Sequence, residues 1–357
     1  MSVQSLDGLV KGLHHITLVT SNQEVNRRFY TEVLGLRRVK LTVNQDDILH
    51  RHLFYADEKG TTGSAITFFE WPDLPQGIAG LGSPHHLSYR VPRLDALPAW
   101  ASWLRAAGVH VVGPLPRDGG RVSLYLRDPD GVSIELTAVN DQKLTAADVA
   151  ELGRDLPRVT AITKEMRLTT FDHASPITSD PKLTARFFEK FLGLKDSFSL
   201  PDPDERDTTI LGIGNGAMPD FIRYLASERA SEGLVGRGSV HHIAMAVEDD
   251  RDQLKIKRHL DDVGVQNSGI IDRFWFHSLY FRDPEGNLLE IATKGPGYAT
   301  DESPETLGSR LVLPKWVEPR RAEIEAFLKK TDEGNPVGWP PRYPVTPAMP
   351  EALTQTR

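Results

Sequence analysis

The chain has 357 residues, of which 39% are apolar and 25% are charged, so we expect a globular protein of about two domains. No apolar stretch approaches the roughly 20 residues of a membrane helix, and the N-terminus lacks the pattern of a secretory signal, so we expect a cytoplasmic protein without a membrane partner. The net charge of −7 disfavours nucleic acid as a partner, and the lack of cysteine excludes disulfides, thiolate metal ligands and a thiol nucleophile.

Strand-like runs that begin with histidine occur four times along the chain. Each run is rich in apolar and β-branched residues with a two-residue period, and it ends at a polar residue or a turn, which is typical of a strand. The four runs are GLHHITLVT with His14 and His15, SPHHLSYRV with His85 and His86, FDHASPIT with His173, and SVHHIAMAV with His241 and His242. Because histidine is a common metal ligand, we expect the chemistry of the protein in these runs.

An amphipathic helix is predicted after each run, because apolar residues recur there at three- and four-residue spacing. A glycine then stands where a helix end needs a residue that tolerates positive φ. The four glycines are Gly35, Gly108, Gly193 and Gly264. The interval from histidine to glycine is the same in the first and third units, and it is the same in the second and fourth.

Two of the four units end in a strand–turn–strand signature that carries a glutamate. The sequences are SLYLRDPDGVSIELTA, which contains Glu135, and SLYFRDPEGNLLEIAT, which contains Glu290. The Pro and Gly residues of both sequences suit a tight turn. We therefore predict an α+β fold of four strand–helix–strands modules, arranged as two similar halves at residues 10–140 and 168–295.

The remaining segments are predicted as a linker and a C-terminal extension. Residues 141–167 form the linker, in which LTAADVAEL reads as a short helix with Thr145 as its N-cap. Residues 296–357 form the extension, with a helix near VEPRRAEIEAFLKK. Its last part, residues 334–357, is rich in proline, so we expect it to lie extended on the surface or to be partly disordered.

Strand geometry selects the side chains that are free to hold a metal. Successive side chains of a strand point to opposite faces, so the face of His15 is opposite to the apolar face that packs on the helix. His242 shares its face with Ala244, which leaves room, and Glu290 shares its face with Ala292. Two imidazoles and one carboxylate form the facial triad that favours iron(II) with open coordination positions.

These residues also have ordinary structural interpretations, and spacing alone does not decide which of them meet. A single buried histidine is usually structural, whereas a carboxylate in the middle of an apolar strand is costly unless it is paired. Pairing of modules one with four and two with three predicts His15/His242/Glu290 and His86/Glu135/His173. Pairing within each half predicts His15/His86/Glu135 and His173/His242/Glu290 instead.

The chain resembles the vicinal oxygen chelate superfamily of βαβββ modules, which includes glyoxalase I, bleomycin-resistance proteins and extradiol dioxygenases. More narrowly, it is similar to ring-cleaving dioxygenases of the hydroquinone 1,2-dioxygenase type. The resemblance covers residues 12–322. Its motifs are GLHHIT, FYTEVLGLRRVKLTVNQDD, ITFFEWPD, GSVHHIAMAV, DRFWFHSLYFRDPEGNLLEIAT and GYATDESPETLGSRLVLPKWVEPRR.

This resemblance implies an iron(II)-dependent, extradiol-type dioxygenase that cleaves a hydroquinone or catechol-like ring with O₂. It also implies particular residues. The metal ligands would be His15, His242 and Glu290, and the residues around them would be His14, Thr17, His241, Arg273 and Tyr280. The chain departs from the group because it also keeps His86, Glu135 and His173, which leaves a second metal site open. A homo-oligomer is compatible with the resemblance.

Roles for the surrounding residues follow from the chemistry of ring cleavage. His241 and Tyr280 suit proton transfer, and Arg273 suits stabilisation of negative charge. Each also has a plain interpretation, as a strand-face histidine, a core aromatic residue and a salt-bridge residue, respectively. A further set of aromatic residues would wall an aromatic pocket or simply form core: Phe69, Phe274, Trp275 and Phe276.

Two other functions remain open at this point. A glyoxalase-like isomerase or lyase usually needs a fourth protein ligand, but that position falls near Thr67, and Glu70 lies on the opposite strand face. A protein that binds an aromatic toxin without catalysis is the other alternative, although it would not need an intact set of metal ligands.

Overall fold

The computed structural model describes residues 5–140, 144–201, 209–215, 221–336 and 338–346. Within these ranges the chain forms 17 strands and six α-helices, and most of them belong to four successive βαβββ modules, as predicted. No helix in these ranges is both long and apolar enough to cross a membrane.

The modules have the following elements. Module one contains β1 (Val10–Thr20), α1 (Gln23–Arg28), β2 (Arg37–Asn44), β3 (Asp47–Ala56) and β4 (Ala65–Glu70). Module two contains β5 (His86–Arg90), α2 (Ala96–Ala106), β6 (Val112–Pro116), β7 (Arg121–Arg127) and β8 (Ser133–Val139). Between the halves lies α3 (Ala146–Leu152). Module three contains β9 (Phe171–Ser175), the short β10 (Ile177–Thr178), α4 (Pro181–Leu192), β11 (Lys195–Pro201), β12 (Thr209–Gly214) and β13 (Ile222–Ala226). Module four contains β14 (Val240–Val247), α5 (Asp250–Asp262), β15 (Asn267–Asp272), β16 (Phe276–Arg282) and β17 (Leu288–Pro296), and α6 (Arg321–Gly334) follows.

The predicted helix ends are confirmed, with one local difference in module one. The four glycines that follow the module helices all have positive φ, between 66° and 82°. Asn22 caps α1 by accepting hydrogen bonds from the backbone N–H groups of Glu24 and Val25. The helix then widens into a π-helical turn at Phe29–Val33. This turn places the side chains of both Phe29 and Tyr30 in the core, where neither is exposed.

The modules pair across the two halves of the chain, so that modules one and four share one sheet and modules two and three share another. The first sheet has the strand order β15-β16-β17-β14-β1-β4-β3-β2. The second sheet has the order β11-β12-β13-β9-β5-β8-β7-β6, and β10 pairs with β13 beside it. Antiparallel contacts between β1 and β14, and between β5 and β9, join the modules at the centre of each sheet.

Burial separates the two faces of the central strands, as the two-residue period predicts. Ile16 and Leu18 are fully buried in the main hydrophobic cluster, together with Phe29 of the module helix. The opposite face of the first sheet carries His15 and borders a smaller cluster that contains Trp275. The apolar face therefore binds the helices, and the histidine face is left to form a site.

Polar contacts cap the linker helix and attach the C-terminal extension to the modules. Thr145 caps α3, as predicted, in a capping box with Asp148. The Nζ atom of Lys40, whose side chain is fully buried, lies 2.8 Å from Asp301 Oδ1 and 2.5 Å from Glu302 Oε2. Near the chain end, Thr346 Oγ1 donates a hydrogen bond of 3.0 Å to the carbonyl oxygen of His110. Residues 141–143 of the linker, and 337 and 347–357 of the proline-rich tail, lie outside the described residues.

Candidate metal centre and the cavity beside it

Three strands of the first sheet bring two imidazole rings and one carboxylate together. His15 lies on β1, His242 on β14 and Glu290 on β17. The Nε2 atoms of the two histidines are 3.3 Å apart, although the residues are 227 positions apart in sequence. Glu290 Oε2 lies 3.3 Å from Nε2 of His15 and 3.1 Å from Nε2 of His242. Of the arrangements that the sequence left open, the structure has the pairing of modules one with four and two with three.

The three side chains are almost completely removed from water. Glu290 is fully buried, and its Oε1 atom accepts a hydrogen bond of 2.5 Å from Ser278 Oγ. Burial alone would raise the pKa of Glu290, but the rings of His15 and His242 lower it well below its ordinary value. The carboxylate is therefore ionised, and it needs cationic or metal partners in this buried position.

The arrangement of donor atoms fits a divalent transition metal. Glu290 Oε2 is buried and has no hydrogen-bond partner among the described residues, yet it faces the Nε2 atoms of His15 and His242. Separations of 3.1 to 3.3 Å suit adjacent ligands of one cation, because metal bonds to such atoms are about 2.0–2.2 Å long. Two imidazoles and one carboxylate are also the ligand set of the facial triad.

His14 and His241 support the two ligand histidines from the neighbouring sequence positions. The Nδ1 atoms of His14 and His15 are 2.8 Å apart, and those of His241 and His242 are also 2.8 Å apart. Burial and the adjacent ligand histidine lower the pKa of His14 to about 3, and they have the same effect on the pKa of His241. Both rings are therefore neutral. His241 lines the main cavity, whereas His14 lines a separate small cavity of about 30 Å³.

Tyr280 and Arg273 lie together at the side of the cavity. Tyr280 is directly opposite Glu290 in the β16–β17 hairpin, and its ring centroid is 5.6 Å from that of His242. Burial and the Glu290 carboxylate raise the pKa of Tyr280, so its phenol stays protonated. The guanidinium of Arg273 lies 5.5 Å from the Tyr280 ring and donates two hydrogen bonds, of 3.0 and 2.8 Å, to Asp46.

Thr17 contacts a neighbouring strand, and this contact leads to a histidine that the sequence analysis missed. Thr17 Oγ1 lies 2.7 Å from Thr67 Oγ1, which in turn lies 2.9 Å from Nε2 of His52. His52 lines the cavity, and burial lowers its pKa well below the ordinary value, so its ring is neutral. The alternation in HRHLFYA on β3 places His52 on one face with Phe54, which was the available signal.

A cavity of about 300 Å³ opens beside the triad and is walled mainly by aromatic rings. The Phe, Trp and Tyr side chains that line it are Phe54, Phe69, Trp71, Trp275, Phe276 and Tyr280. Three of the four aromatic residues predicted for such a wall are present. The fourth, Phe274, packs instead on the rings of Trp275 and Trp316. The end of β2, the turn after it and the start of β3 contribute residues 44–47 to the lining, and these were not among the candidates from the sequence.

The position of a fourth protein ligand is occupied by a threonine. On β14 the residue two positions after His242 is Ala244, which pairs with Glu290 of β17. On β1 the residue two positions after His15 is Thr17, which pairs with Thr67 of β4. Thr67 is therefore the structural counterpart of Glu290. The Glu70 carboxylate accepts hydrogen bonds from the backbone of Gln23 and from Arg51, as its opposite strand face predicts.

A second triad with the same residue types lies in the second sheet. Glu135 Oε2 is 3.3 Å from Nε2 of His86 and 3.1 Å from Nε2 of His173, and all three residues are buried. Of the described residues, only these three and the triad of the first sheet form such groups of histidine and acidic side chains.

Comparison with known proteins places the chain in a family. The family model described as "Glyoxalase/Bleomycin resistance protein/Dioxygenase superfamily" matches residues 12–136 and 170–291. These two ranges correspond to the two halves of the chain, and the chain belongs to this superfamily. The resemblance seen in the sequence motifs is thereby confirmed.

Several relatives match over nearly their whole length. MhqA of Bacillus subtilis (strain 168), provisionally named a ring-cleaving dioxygenase, is 34% identical over 320 residues, which are 90% of this chain and 98% of MhqA. The chlorohydroquinone/hydroquinone 1,2-dioxygenase of Sphingobium indicum is 28% identical over 322 residues, with coverage of 88% and 95%. A crystal structure of a provisionally named dioxygenase from Bacillus subtilis superimposes with a TM-score of 0.75 at 33% identity, over 89% of this chain and 96% of that one.

Proposed function

We propose that the protein is an iron(II)-dependent, ring-cleaving dioxygenase of the extradiol type, which acts on a hydroquinone or a catechol-like ring. One observation carries this proposal: the buried triad of His15, His242 and Glu290 lies at a cavity with aromatic walls. The names of the relatives, which include a hydroquinone 1,2-dioxygenase, support the same reaction class.

The size and lining of the cavity favour a single substituted ring as substrate. A dry protein cavity of about 150 Å³ suffices for benzene, so the 300 Å³ here leave room for ring substituents and O₂. Aromatic side chains contact a substrate ring best by offset stacking or edge-to-face packing. Phe69, Trp275 and Phe276 are placed for such contacts.

His15, His242 and Glu290 would hold the iron. When bound to this ligand set, iron(II) would supply open coordination positions for the diol and for O₂ and would allow electron density to pass from the ring to oxygen. In the overall reaction a carbon–carbon bond of the ring breaks and both atoms of O₂ enter the product. The diol itself supplies the electrons, so no separate reductant is consumed.

The side chains around the ligands would act mainly as hydrogen-bond donors. With Nε2 of His242 used as a ligand, the ring proton of His242 lies on Nδ1 and is donated to Nδ1 of His241. Neutral His241 then carries its own ring proton on Nε2, and its ring is part of the cavity wall. Tyr280 adds a protonated phenol. Arg273, held by Asp46, adds a fixed positive charge, so three groups can stabilise negative charge that develops on the substrate.

An isomerase of the glyoxalase type is less well supported, because Thr67 stands where a fourth acidic ligand would be needed. An oxygen electrode separates the alternatives. Protein reconstituted with iron(II) under anaerobic conditions is mixed with substituted hydroquinones and catechols, and in parallel with a thiol adduct of methylglyoxal. We expect one O₂ to be consumed for each aromatic ring lost, and no conversion of the adduct.

The matched control is Glu290→Gln, which keeps the size of the side chain but removes the charge of the ligand. We expect this variant to lose O₂ uptake with every substrate. Two results would contradict the proposal: conversion of the adduct without O₂ uptake, which indicates an isomerase, or tight binding of the aromatic compounds without turnover, which indicates a binding protein.

A further inference from the structure

The second sheet repeats the ligand arrangement of the first sheet residue by residue. On β5, the residue two positions after His86 is Ser88, which pairs with Glu135 of β8. The same relation links His242, Ala244 and Glu290 in the first sheet. His173 joins this group from β9, the antiparallel neighbour of β5, in the place that His15 has on β1.

Contacts around this second triad orient its atoms as they would be oriented around a cation. Glu135 Oε1 accepts a hydrogen bond of 3.0 Å from the Tyr125 hydroxyl, so Oε2 is left to face the two histidines. Nδ1 of His173 lies 2.8 Å from Oδ2 of Asp172. Metal-ligating histidines commonly donate their second ring N–H to a carboxylate in this way, which fixes the tautomer that has its lone pair on Nε2.

Asp172 is itself held firmly by two arginines. Its Oδ2 atom accepts a hydrogen bond of 2.8 Å from Arg121, and its Oδ1 atom accepts one of 2.6 Å from Arg90. A carboxylate with two such partners stays ionised and cannot easily rotate away from the imidazole. Nδ1 of His173 therefore remains a donor, and Nε2 is directed at Glu135.

The space beside the second triad differs sharply from that beside the first. The cavity there is about 20 Å³, compared with about 300 Å³ in the first sheet. This is enough for roughly one water molecule and far too small for an aromatic ring. In the second sheet, Ile222 of β13 pairs with Ala174 of β9. The next residue of β13, Arg223, therefore has the position that Thr67 has in the first sheet. Its side chain is buried and lines this cavity.

We propose that His86, Glu135 and His173 form a second metal centre, which binds one divalent transition-metal ion in a closed site and takes no aromatic substrate. The ion would join β5, β8 and β9 and thereby tie modules two and three together. Its remaining coordination positions would be filled by water, beside the guanidinium of Arg223. A larger cavity of about 400 Å³, which His86 also lines, offers the ion a path from outside.

Cobalt(II) is a suitable probe, since both triads offer it only nitrogen and oxygen ligands. Metal-free protein is loaded with cobalt(II), desalted and assayed for metal per chain by mass spectrometry. We expect two equivalents in the parent and one in Glu290→Ala. Glu135→Gln, which keeps an acceptor for Tyr125, should also hold one, and the double variant none.

Anomalous diffraction at the cobalt edge then locates the ions. We expect two peaks per chain, one among His15, His242 and Glu290 and one among His86, Glu135 and His173. Ser88→Ala is the matched control, because it removes a buried hydroxyl next to the second triad without removing a ligand, and it should keep both equivalents.

Two results would overturn the proposal. One is a parent protein with a single cobalt ion and no anomalous peak at the second triad. The other is a Glu290→Ala protein that retains no cobalt. Neither result depends on the folding of a variant at the second triad, and neither depends on catalytic activity.

Discussion

Replacement of Tyr280 by phenylalanine tests whether the phenol takes part in the reaction. Tyr280 is opposite Glu290 across the β16–β17 pair, and its hydroxyl belongs to a group that stays protonated. Phenylalanine keeps the ring that contacts His242 and Arg273, at centroid distances of 5.6 and 5.5 Å in the parent. Only the hydroxyl is removed, so the change isolates its contribution.

The expected loss of turnover follows from the proposed role as a positioned donor. Such groups typically contribute about 10²–10⁴ in rate, which corresponds to about 2.7–5.4 kcal/mol of transition-state stabilisation. The loss should appear in kcat with a smaller change in KM, because the hydroxyl would act on charge that develops during the reaction. Bound iron and the free energy of unfolding should stay close to those of the parent, within about 1.5 kcal/mol for the latter.

Steady-state O₂ consumption by the iron-loaded variant measures this effect. Tyr125→Phe is the matched control, because Tyr125 has the equivalent position in the second sheet, opposite Glu135, and is also buried. That protein should turn over like the parent. If Tyr280→Phe retains kcat within about twofold of the parent, well short of the usual contribution of an acid or base, the phenol has no part in the reaction.

Three further changes test the metal centre, the anchoring of the C-terminal extension and the N-cap of α1. Glu290→Ala should lose both bound iron and O₂ uptake. Its metal affinity should fall by more than the roughly 10–100-fold that loss of a residue supporting a ligand costs. An iron content near that of the parent would exclude this ligand set. Lys40→Met leaves the buried Glu302 carboxylate without its cation. It should lower the free energy of unfolding, measured by chemical denaturation, by about 3–5 kcal/mol. A loss below about 1 kcal/mol would show that this ion pair does not hold the extension. Asn22→Ala removes the cap of α1 and should cost about 0.5–2 kcal/mol in the same assay, whereas Asn22→Asp should keep most of the stability.

The local sequence pattern predicted much of the architecture, because it indicates the face to which each side chain points and where the chain reverses direction. The two-residue period of GLHHITLVT placed Ile16 and Leu18 on the buried helix-facing side and His15 on the other, as the structure has them. The glycines after the helices, and the turn before Glu290, marked the ends of elements correctly. The strand and helix signals recur four times along the chain, and this repetition identified the modules.

The metal centre needed more than local pattern. His15, His242 and Glu290 could be chosen as candidates from residue type and strand face, but two pairings of the modules remained open. Backbone hydrogen bonding between strands is nearly independent of sequence, so the sequence does not indicate which modules share a sheet. The tertiary structure decided this by joining β1 to β14, which brings together histidines 227 positions apart.

The cavity also depended on the tertiary structure, for a related reason. His52 and Trp71 come from β3 and from just after β4, and they meet His241 and Arg273 of module four only because the first sheet curls around the site. A strand pattern states which face a side chain takes, but not what lies across from that face. By itself, the sequence determined the modules and the faces of their strands. The fold decided which faces enclose a large cavity and which enclose a small one.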